Sequence, residues 1–415
     1  MPARHDNLFG RIATFEGLRK AAQRAIRGKR RKPGAAAFQF GLERELLRLE
    51  RELNDRSYRP GRYIEIQLTK PVPRLVSAAP FRDRVVHHAL IDVVGPIFEA
   101  GFIGASFANR IGKGTHKAVA AYEHYRDRYA HVLRCDIYRY FPSIDHAVLK
   151  RDFRRRIVCE RTLWLMDRIV DFSNRQEPVH LHFPGDDLLS PLERRRGLPI
   201  GNLTSQFAAN VYLDPLDHFC TEVLRAPYVR YVDDFALFAD DAEVLAEWRV
   251  RIADFLAGKS LPFSPERGRR WRAAPDEGAG CRKSRSVGAA LNSARRPLIR
   301  LARVARDPPS PPRGGEGRRL RLHPRKTHIA STRAAAEFLG FVLHRYGKRA
   351  LPAANVQAFR GRLKGMVAAA RAGTLLWTDA ARQMDSWAAH ADHAHTRALK
   401  RAILGRAAKA FAAGT

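Results

Sequence analysis

One stretch, residues 228–240 (YVRYVDDFALFAD), places the strongest constraint on the fold. Two runs rich in aromatic and β-branched residues flank the adjacent carboxylates of Asp233 and Asp234. Such runs favour strands, and the acidic pair lies where the chain must reverse, so the pattern predicts a β-hairpin with the pair at its tip. Adjacent carboxylates repel each other, and a hard cation such as Mg²⁺ would neutralise them through oxygen ligands. A solvated turn is the alternative, and the sequence holds two such pairs for comparison, at 186–187 and 240–241.

The net charge narrows the class of partner. The 415 residues include 75 Lys and Arg against 42 Asp and Glu, which gives a net charge of +33. A field of this strength predicts a polyanionic partner, with nucleic acid the leading candidate. The sequence has no run of 18 apolar residues and no apolar signal-peptide core at its N-terminus, and its four cysteines share no metal-like spacing. We therefore expect a cytoplasmic protein without a membrane partner, built from two or three subdomains.

The remaining patterns predict a chain that mixes helices and strands. Apolar residues from Phe38 to Leu53 recur at three- and four-residue steps, which predicts an amphipathic helix. A helix over 81–98 is expected to end at Gly95–Pro96, and a helix from Phe207 is expected to be capped by Thr204 or Ser205. Helices are also predicted for about the last 65 residues. The predicted strands are 63–68, 132–137 and 338–343.

A third carboxylate joins the acidic pair. Asp136 is a lone acid in an otherwise β-favouring run, and a charge in that position needs a partner. Together with Asp233 and Asp234 it would give three carboxylates, enough to hold two metal ions some 3.5–4 Å apart.

Two other clusters have a plain structural alternative. The run Gly112–Thr115 resembles part of a phosphate-binding loop, but Phe107 stands where the first glycine of that motif should be. Backbone contact to nucleic acid and a simple loop before a helix over 115–130 both remain open. A second cluster near the C-terminus is expected to be an ordinary polar helix surface, because helical geometry spreads its side chains around the cylinder. Its members are His390, Asp392, His393 and His395.

Composition changes sharply over residues 259–319. This segment has 16 Lys and Arg against five Asp and Glu, together with a Pro/Gly-rich run that begins at Asp307. Weak periodicity with this composition predicts a disordered or loose surface insertion. The rest of the chain would still be strongly basic, so the expectation of a nucleic-acid partner does not depend on it.

Six motifs in chain order resemble those of bacterial reverse transcriptases, over roughly residues 15–258 and 320–400. YVDD at 231–234 resembles the metal-binding hairpin of that family, and Asp136 in RCDIYRYF matches its first metal-binding aspartate. The resemblance implies that Asp136, Asp233 and Asp234 bind two Mg²⁺ ions and take part in catalysis. Lys326 in LHPRKT matches the lysine that protonates the leaving pyrophosphate.

The resemblance also implies which residues contact the substrates. Two cations hold the triphosphate, an aromatic ring blocks a ribose 2′-OH, and a glycine-marked turn lines the nucleotide pocket. The residues implied for dNTP binding are Lys70, Arg74, Phe141, Ile200, Gly201 and Gln206. The residues implied for the primer grip are Phe338, Leu339 and Gly340.

Residues 78–90, 106–118 and 197–219 resemble most the reverse transcriptases of diversity-generating retroelements. Ile200 stands where many reverse transcriptases carry glutamine, and this departure is typical of that group, whose copying is error-prone at template adenines. An aliphatic side chain loses a hydrogen-bonding contact at the nascent base pair, which would weaken discrimination. The group also implies a small basic accessory protein that forms a helical barrel. An antiviral defence polymerase, or a nucleic-acid-binding remnant inactivated by the insertion, are the alternatives.

The resemblance implies an α/β (α+β) right-hand polymerase with fingers, a palm built on a split βαβ antiparallel sheet, and a short helical thumb. Its partners would be an RNA template, a DNA or RNA primer, the RNA–DNA hybrid and dNTPs. The implied boundaries are 1–95 and 148–196 for the fingers, 96–147, 197–258 and 320–345 for the palm, 259–319 for the insertion, and 346–415 for the thumb.

Overall fold

The structure, a computed structural model, describes residues 3–69, 74–174, 179–258 and 318–412. Within them helices and antiparallel sheets are mixed, which confirms the predicted combination of helices with an antiparallel sheet. The helices are α1 (Phe9–Ile12), α2 (Phe15–Ile26), α3 (Pro33–Phe40), α4 (Leu42–Asn54), α5 (Phe81–Glu99), α6 (Thr115–Arg128), α7 (Tyr140–Ser143), α8 (His146–Arg154), α9 (Glu160–Asp171), α10 (Ser190–Glu193), α11 (Leu203–His218), α12 (Ala242–Ala257), α13 (Ala353–Arg371), α14 (Trp377–Ala391) and α15 (Arg397–Ala412). The strands are β1 (Ile64–Leu68), β2 (Arg74–Ala78), β3 (His131–Cys135), β4 (Tyr228–Tyr231), β5 (Asp234–Ala239), β6 (His328–Ser331), β7 (Ala336–Phe338), β8 (Phe341–Leu343) and β9 (Arg349–Ala350).

Four of the described strands form the central sheet, in the order β4–β5–β3–β6, and each neighbouring pair is antiparallel. Strands β3 and β4 therefore run in the same direction with β5 between them, and helices α7–α11 lie on the chain that connects them. Cys135 at the end of β3 lies opposite Phe235 near the start of β5. The residues that follow β3 and those that precede β5 consequently meet at one edge of the sheet.

Side chains alternate between the two faces of a strand, and both faces of the central sheet are covered by a hydrophobic core. Leu133 and Leu237 pack into a core that includes α11 and α12. Val132 and Phe238 pack on the opposite face into a second core, which includes α6 and the C-terminal helices. The strands therefore carry apolar residues on both sides, and charged residues within them stand out.

The N-terminal helices pack around α5. The stripe from Phe38 to Leu53 lies on two helices rather than one, because the chain leaves helical geometry at Gly41, with φ −106° and ψ 31°. Phe38 on α3 packs its ring against Phe81 at 5.3 Å between centroids. The predicted apolar face is buried on both sides of the break, with Leu46 fully inaccessible to solvent.

Helix α5 continues through Gly95 and Pro96 to Glu99, so its predicted end is wrong. Proline removes one hydrogen bond to the carbonyl four residues earlier, which weakens a helix without always ending it. The last turn carries Phe98, which is 2% exposed and meets Phe207 edge-on at 5.3 Å. Burial of that ring offsets the lost bond.

The run over 338–343 is a tight hairpin and not the single strand that was predicted. Strands β7 and β8 pair with Phe338 opposite Phe341. The two residues between them, Leu339 and Gly340, have φ of +48° and +83°. Positive φ at both central positions is the geometry of the two-residue turns that join antiparallel strands. A continuous apolar run concealed this turn because only one of its two residues is glycine.

The last two residues of the predicted insertion, Arg318 and Arg319, form ion pairs with acidic residues of the fold. Residues 259–317 lie outside the described residues, but Arg318 is 4% exposed and forms an ion pair with the buried Asp152 of α8. The amide of Leu320 donates to the carbonyl of Leu256 at 3.1 Å. The chain therefore returns to the fold close to the point at which α12 ends.

The C-terminal helices α13 and α14 pack together through a stacked pair of rings, Phe359 and Trp387, at 4.0 Å. This confirms the helical prediction for the end of the chain as far as Ala412. Within the described ranges, no helix combines the length and apolar character needed to cross a membrane.

Candidate active site

Four side chains to which the sequence assigns chemistry converge at one edge of the central sheet. Asp136 directly follows β3, Asp233 lies in the turn between β4 and β5, and Asp234 is the first residue of β5. Lys326 lies in the loop before β6, the other neighbour of β3. The antiparallel pairing brings residues about 100 and 190 positions apart in the chain to this edge.

An ion pair joins the lysine to the first aspartate. Lys326 Nζ donates to Asp136 Oδ2 at 2.8 Å. Asp136 is 7% exposed, and a buried carboxylate is costly without such a partner. The hydrogen bond to Asp136 raises the pKa of Lys326, so the ammonium form is favoured. The side chain of Lys326 remains 61% exposed and can move to another anion without unfolding the site.

The other two carboxylates are crowded. Burial, followed by the neighbouring charges of Asp234 and Asp136, raises the pKa of Asp233 to about 7. Partial desolvation and the Asp136 carboxylate raise the pKa of Asp234 to about 6, although Asp234 is an exposed residue. The site therefore holds more negative charge than Lys326 balances.

The donor set fits a hard divalent cation. Carboxylate oxygens are the ligands that Mg²⁺ prefers, and a cation would offset the desolvation and the repulsion that raise the two pKa values. Among the described residues, no three acidic, histidine or cysteine side chains form a ready-made metal cage. Mg²⁺ commonly uses one or two carboxylates and completes its shell with water and substrate phosphates, so a site of this kind does not need such a cage.

The hairpin itself matches the prediction, but its support was missed. Val232 in the turn has φ of +59°, and its carbonyl accepts a hydrogen bond from Arg230 Nη1 at 2.9 Å. Arg230 is 1% exposed and forms a two-pronged ion pair with the fully buried Asp217. The signal was in the sequence: Arg230 is a lone charge in a buried strand, the same kind of anomaly that singled out Asp136.

The implied nucleotide-pocket turn docks on the β1–β2 hairpin. The carbonyl of Ile200 accepts from the amide of Ser77 at 3.1 Å. Gly201 has φ of +107°, and a Cβ at this position would lie 3.0 Å from Val76 Cγ1. Both the conformation and the close approach therefore require glycine.

Asn202, the residue before α11, fixes the turn that contains Ile200 and Gly201. Neither Thr204 nor Ser205 caps the helix, because the N-cap position is Asn202. Its side chain makes no cap; it accepts from the amide of Ala79 at 3.1 Å and donates to the carbonyl of Ser77 at 2.8 Å. Asparagine at this position joins α11 to β2.

The remaining residues implied for nucleotide binding are only partly described. Phe141 on α7 and Gln206 on α11 are half-buried. The backbone of Arg74 pairs with Leu68 in the β1–β2 hairpin. Lys70 and the side chain of Arg74 lie outside the described residues.

The residues implied for the primer grip lie against the second core. Phe338 is buried and stacks on Tyr122 of α6 at 4.5 Å between ring centroids. Leu339 and Gly340 form the turn of the β7–β8 hairpin. The hairpin is thus fixed by its aromatic base, and Leu339 of its turn packs partly buried against the same core.

The glycine-rich loop at Gly112–Thr115 leads directly into α6, with Gly114 at the N-cap position. Lys113 donates to the Gly104 carbonyl at 2.7 Å, and Lys117 of α6 donates to the Gly112 carbonyl at 2.5 Å. This geometry agrees with the plain-loop interpretation, and contact with nucleic acid stays untested.

The C-terminal histidines are less solvent-directed than expected. His393 stacks on His116 of α6 at 3.5 Å, and His390 packs against Phe341 at 4.9 Å. They join the C-terminal helices to the second core, and no metal cluster forms among them within the described part of the chain.

Part of the chain is similar to a known family. Residues 69–272, just under half of the chain, match the family described as Reverse transcriptase (RNA-dependent DNA polymerase). The matched stretch includes Asp136, Asp233 and Asp234.

The proteins that are similar to this chain include one curated protein and one solved structure. Protein YkfC of Escherichia coli (strain K12) is 25% identical over 194 residues, which cover 45% of this chain and 48% of that protein. The chain thus matches about half the length of this curated relative. A structure of telomerase from Candida albicans, in complex with a fragment of telomeric RNA, aligns with a TM-score of 0.30 and 13% identity over 46% of this chain and 40% of that one. An overlap of that size adds nothing to what the fold and the site establish.

Proposed function

We propose that this protein is an RNA-directed DNA polymerase that makes cDNA by two-metal nucleotidyl transfer. The observation that carries the proposal is the convergence of Asp136, Asp233, Asp234 and Lys326 at one sheet edge, supported by the match of residues 69–272 to the reverse transcriptase family. The reaction would be in-line attack of a primer 3′-OH on the α-phosphate of a dNTP, with pyrophosphate as the leaving group.

The charges of the site residues suggest a role for each of them. Asp136 and Asp233 would hold two Mg²⁺ ions, with Asp234 assisting. When bound, the ions would supply activation of the 3′-OH and neutralisation of the triphosphate. Lys326 would move from Asp136 to the leaving pyrophosphate and donate a proton to it, for which its exposed side chain is suited. Lys70 and Arg74 would stabilise the developing phosphate charge.

Binding of template and primer would use the subdivision implied by the sequence. Fingers would include the β1–β2 hairpin, the palm would be built on the central sheet, and the thumb would be α13–α15. Phe141 would exclude a ribose 2′-OH, Gln206 would line the dNTP pocket, and the β7–β8 turn would contact the primer. The basic surface would follow the RNA–DNA hybrid through backbone and 2′-OH contacts.

Primer extension on an RNA template with Mg²⁺ tests the activity. We expect Asp233→Asn to abolish extension, because the amide can no longer supply a charged metal ligand. Asp240→Asn is the matched control, since Asp240 lies beyond the opposite end of β5 and its amide can still accept from the Ala130 amide. Extension by Asp233→Asn at the wild-type rate would refute the site.

We further propose that copying is error-prone at template adenines, as in diversity-generating retroelements. Support comes from Ile200, an aliphatic residue in the turn that docks on β2. Ile200→Gln should lower misincorporation opposite adenine by about 2–10-fold, the range expected for one net hydrogen bond. Sequencing of cDNA made by both proteins checks this, and errors spread evenly over the four template bases would argue against the retroelement role.

A further inference from the structure

The turn that carries Asp233 has an unfavourable backbone. Val232 has φ of +59°, a left-handed conformation that a β-branched side chain disfavours. Such residues persist only where the surrounding structure holds them, and they cluster at functional sites. Because Asp233 is the next residue, any relaxation of Val232 would reorient its carboxylate.

A buried cation holds this turn. Arg230 Nη1 donates to the Val232 carbonyl at 2.9 Å. The other two guanidinium nitrogens, Nε and Nη2, each donate to one oxygen of Asp217 at 2.6 Å. Arg230 is 1% exposed and Asp217 is inaccessible to solvent, so neither group can be replaced by water without opening the core.

The carboxylate that locks Arg230 is itself fixed. The hydroxyl of Tyr228 donates to Asp217 Oδ1 at 2.9 Å. Arg230 also donates to Asn210 Oδ1 at 3.2 Å, and Asn210 Nδ2 donates to the Ala108 carbonyl at 2.9 Å. The network thus joins α11, β4 and the loop before α6 directly beneath the catalytic turn.

The backbone of Arg230 is held as firmly as its side chain. Its amide donates to the Ala105 carbonyl at 2.9 Å, and its carbonyl accepts from the Phe107 amide at 3.0 Å. A buried ion pair contributes little net stability compared with apolar residues of similar volume. Its position therefore points to geometry at the turn rather than to stability as its contribution.

We propose that Arg230 is a positioning residue of the active site. Locked by Asp217, its guanidinium holds the Val232 carbonyl and thereby fixes the Asp233 carboxylate in the orientation that nucleotidyl transfer requires. This inference rests on the proposed function.

Two variants test it. The triple replacement Arg230→Met, Asp217→Leu, Tyr228→Phe removes the ion pair without leaving a buried charge or hydroxyl unpaired. Arg230→Lys keeps a cation beside Asp217, but one ammonium group cannot hold both carboxylate oxygens and the Val232 carbonyl together. Arg318→Met, Asp152→Leu is the matched control, because it removes another buried ion pair that does not touch the hairpin.

Thermal melting, kcat, KM for dNTP and the Mg²⁺ dependence of primer extension are measured for each protein. In both Arg230 variants we expect kcat to fall about 10²-fold, the cost of a small misplacement of a reacting group. Half-maximal activity should require more Mg²⁺, and KM for dNTP should change little. The control pair should keep the wild-type kcat and Mg²⁺ dependence.

The outcomes separate this inference from the function on which it rests. A wild-type protein that cannot extend a primer overturns the proposed function. If the wild type is active, folded Arg230 variants with unchanged kcat and Mg²⁺ dependence overturn the positioning role alone. If the triple variant does not fold, Arg230→Lys decides by the same two readouts.

Discussion

At the scale of single residues, Lys326 has one anionic partner in the structure and a second one in the proposed reaction. It neutralises Asp136 in the structure, and it would serve the leaving pyrophosphate during catalysis. The Lys326→Met protein should therefore bind Mg²⁺ more tightly in the absence of substrate, because the lysine ammonium group no longer competes with Mg²⁺ for Asp136. Its rate of nucleotide addition should fall by about 10²–10⁴-fold. Calorimetric titration with Mg²⁺ and single-turnover extension measure the two effects. Lys20→Met is the control, with a side chain 64% exposed on a distant helix. Weaker Mg²⁺ binding by Lys326→Met would contradict the competition.

His218 gives the stability of the fold a dependence on pH. Two carboxylates raise the pKa of His218 to about 9 despite its partial burial. Asp214 has the larger effect, and Glu222 lies 2.6 Å from the ring. The raised pKa exceeds the value of about 6.5 expected in the unfolded chain. The stabilisation is therefore complete below about pH 6.5 and is lost as the pH rises through about 9. Across that window, Tm of the wild type should fall more than Tm of His218→Gln, with Glu222→Gln intermediate. If Tm falls by the same amount with rising pH in all three proteins, the expected linkage between His218 and stability is absent.

At the scale of elements, the β7–β8 hairpin depends on its turn. Gly340 has φ of +83°, where any side chain is strained, so Gly340→Ala should destabilise the protein by about 1–2 kcal/mol. Gly361 is the opposite case, since it lies inside α13 with open space where a Cβ would point. Gly361→Ala should stabilise it by about 0.5–1 kcal/mol. Denaturant unfolding measures the change in the free energy of unfolding for each substitution. Changes of the same sign would contradict the expected difference between the two glycines.

The elements also show what a sequence can predict. The β4–β5 hairpin was predicted because two runs of aromatic and β-branched residues around an acidic pair are local signals. The two-residue turn at Leu339 was missed, because an apolar residue at positive φ has no local signature. The pairing of Arg230 with Asp217 was missed for another reason: periodicity marks which residues are buried but not which distant charges meet. Convergence of the carboxylates follows from the strand order β4–β5–β3–β6, which composition and periodicity do not give.

At the scale of the whole molecule, charge and fold can be separated. Residues 260–316 carry 13 basic and five acidic residues. Replacing them with a short Gly/Ser linker should preserve the fold and the Lys326–Asp136 ion pair, because Leu320 bonds to Leu256 across the gap. RNA binding should weaken, and the log–log slope of its salt dependence should flatten by about 0.7–0.9 for each phosphate that the protein no longer neutralises. A full-length control with those 13 residues changed to Gln should show the same flattening. Loss of folding in the linker variant would contradict the prediction.

The meeting of Leu256 and Leu320 also sets how the chain can change in length. Because these residues are neighbours in space, a flexible linker placed between them would change the free energy of folding mainly through the entropy of closing a loop. Each doubling of the length of such a linker costs only about 0.6 kcal/mol. A reporter or binding module joined at this place would meet the same small cost. The junction after α12 is thus a natural position for extending the protein without disturbing the chemistry a few residues away.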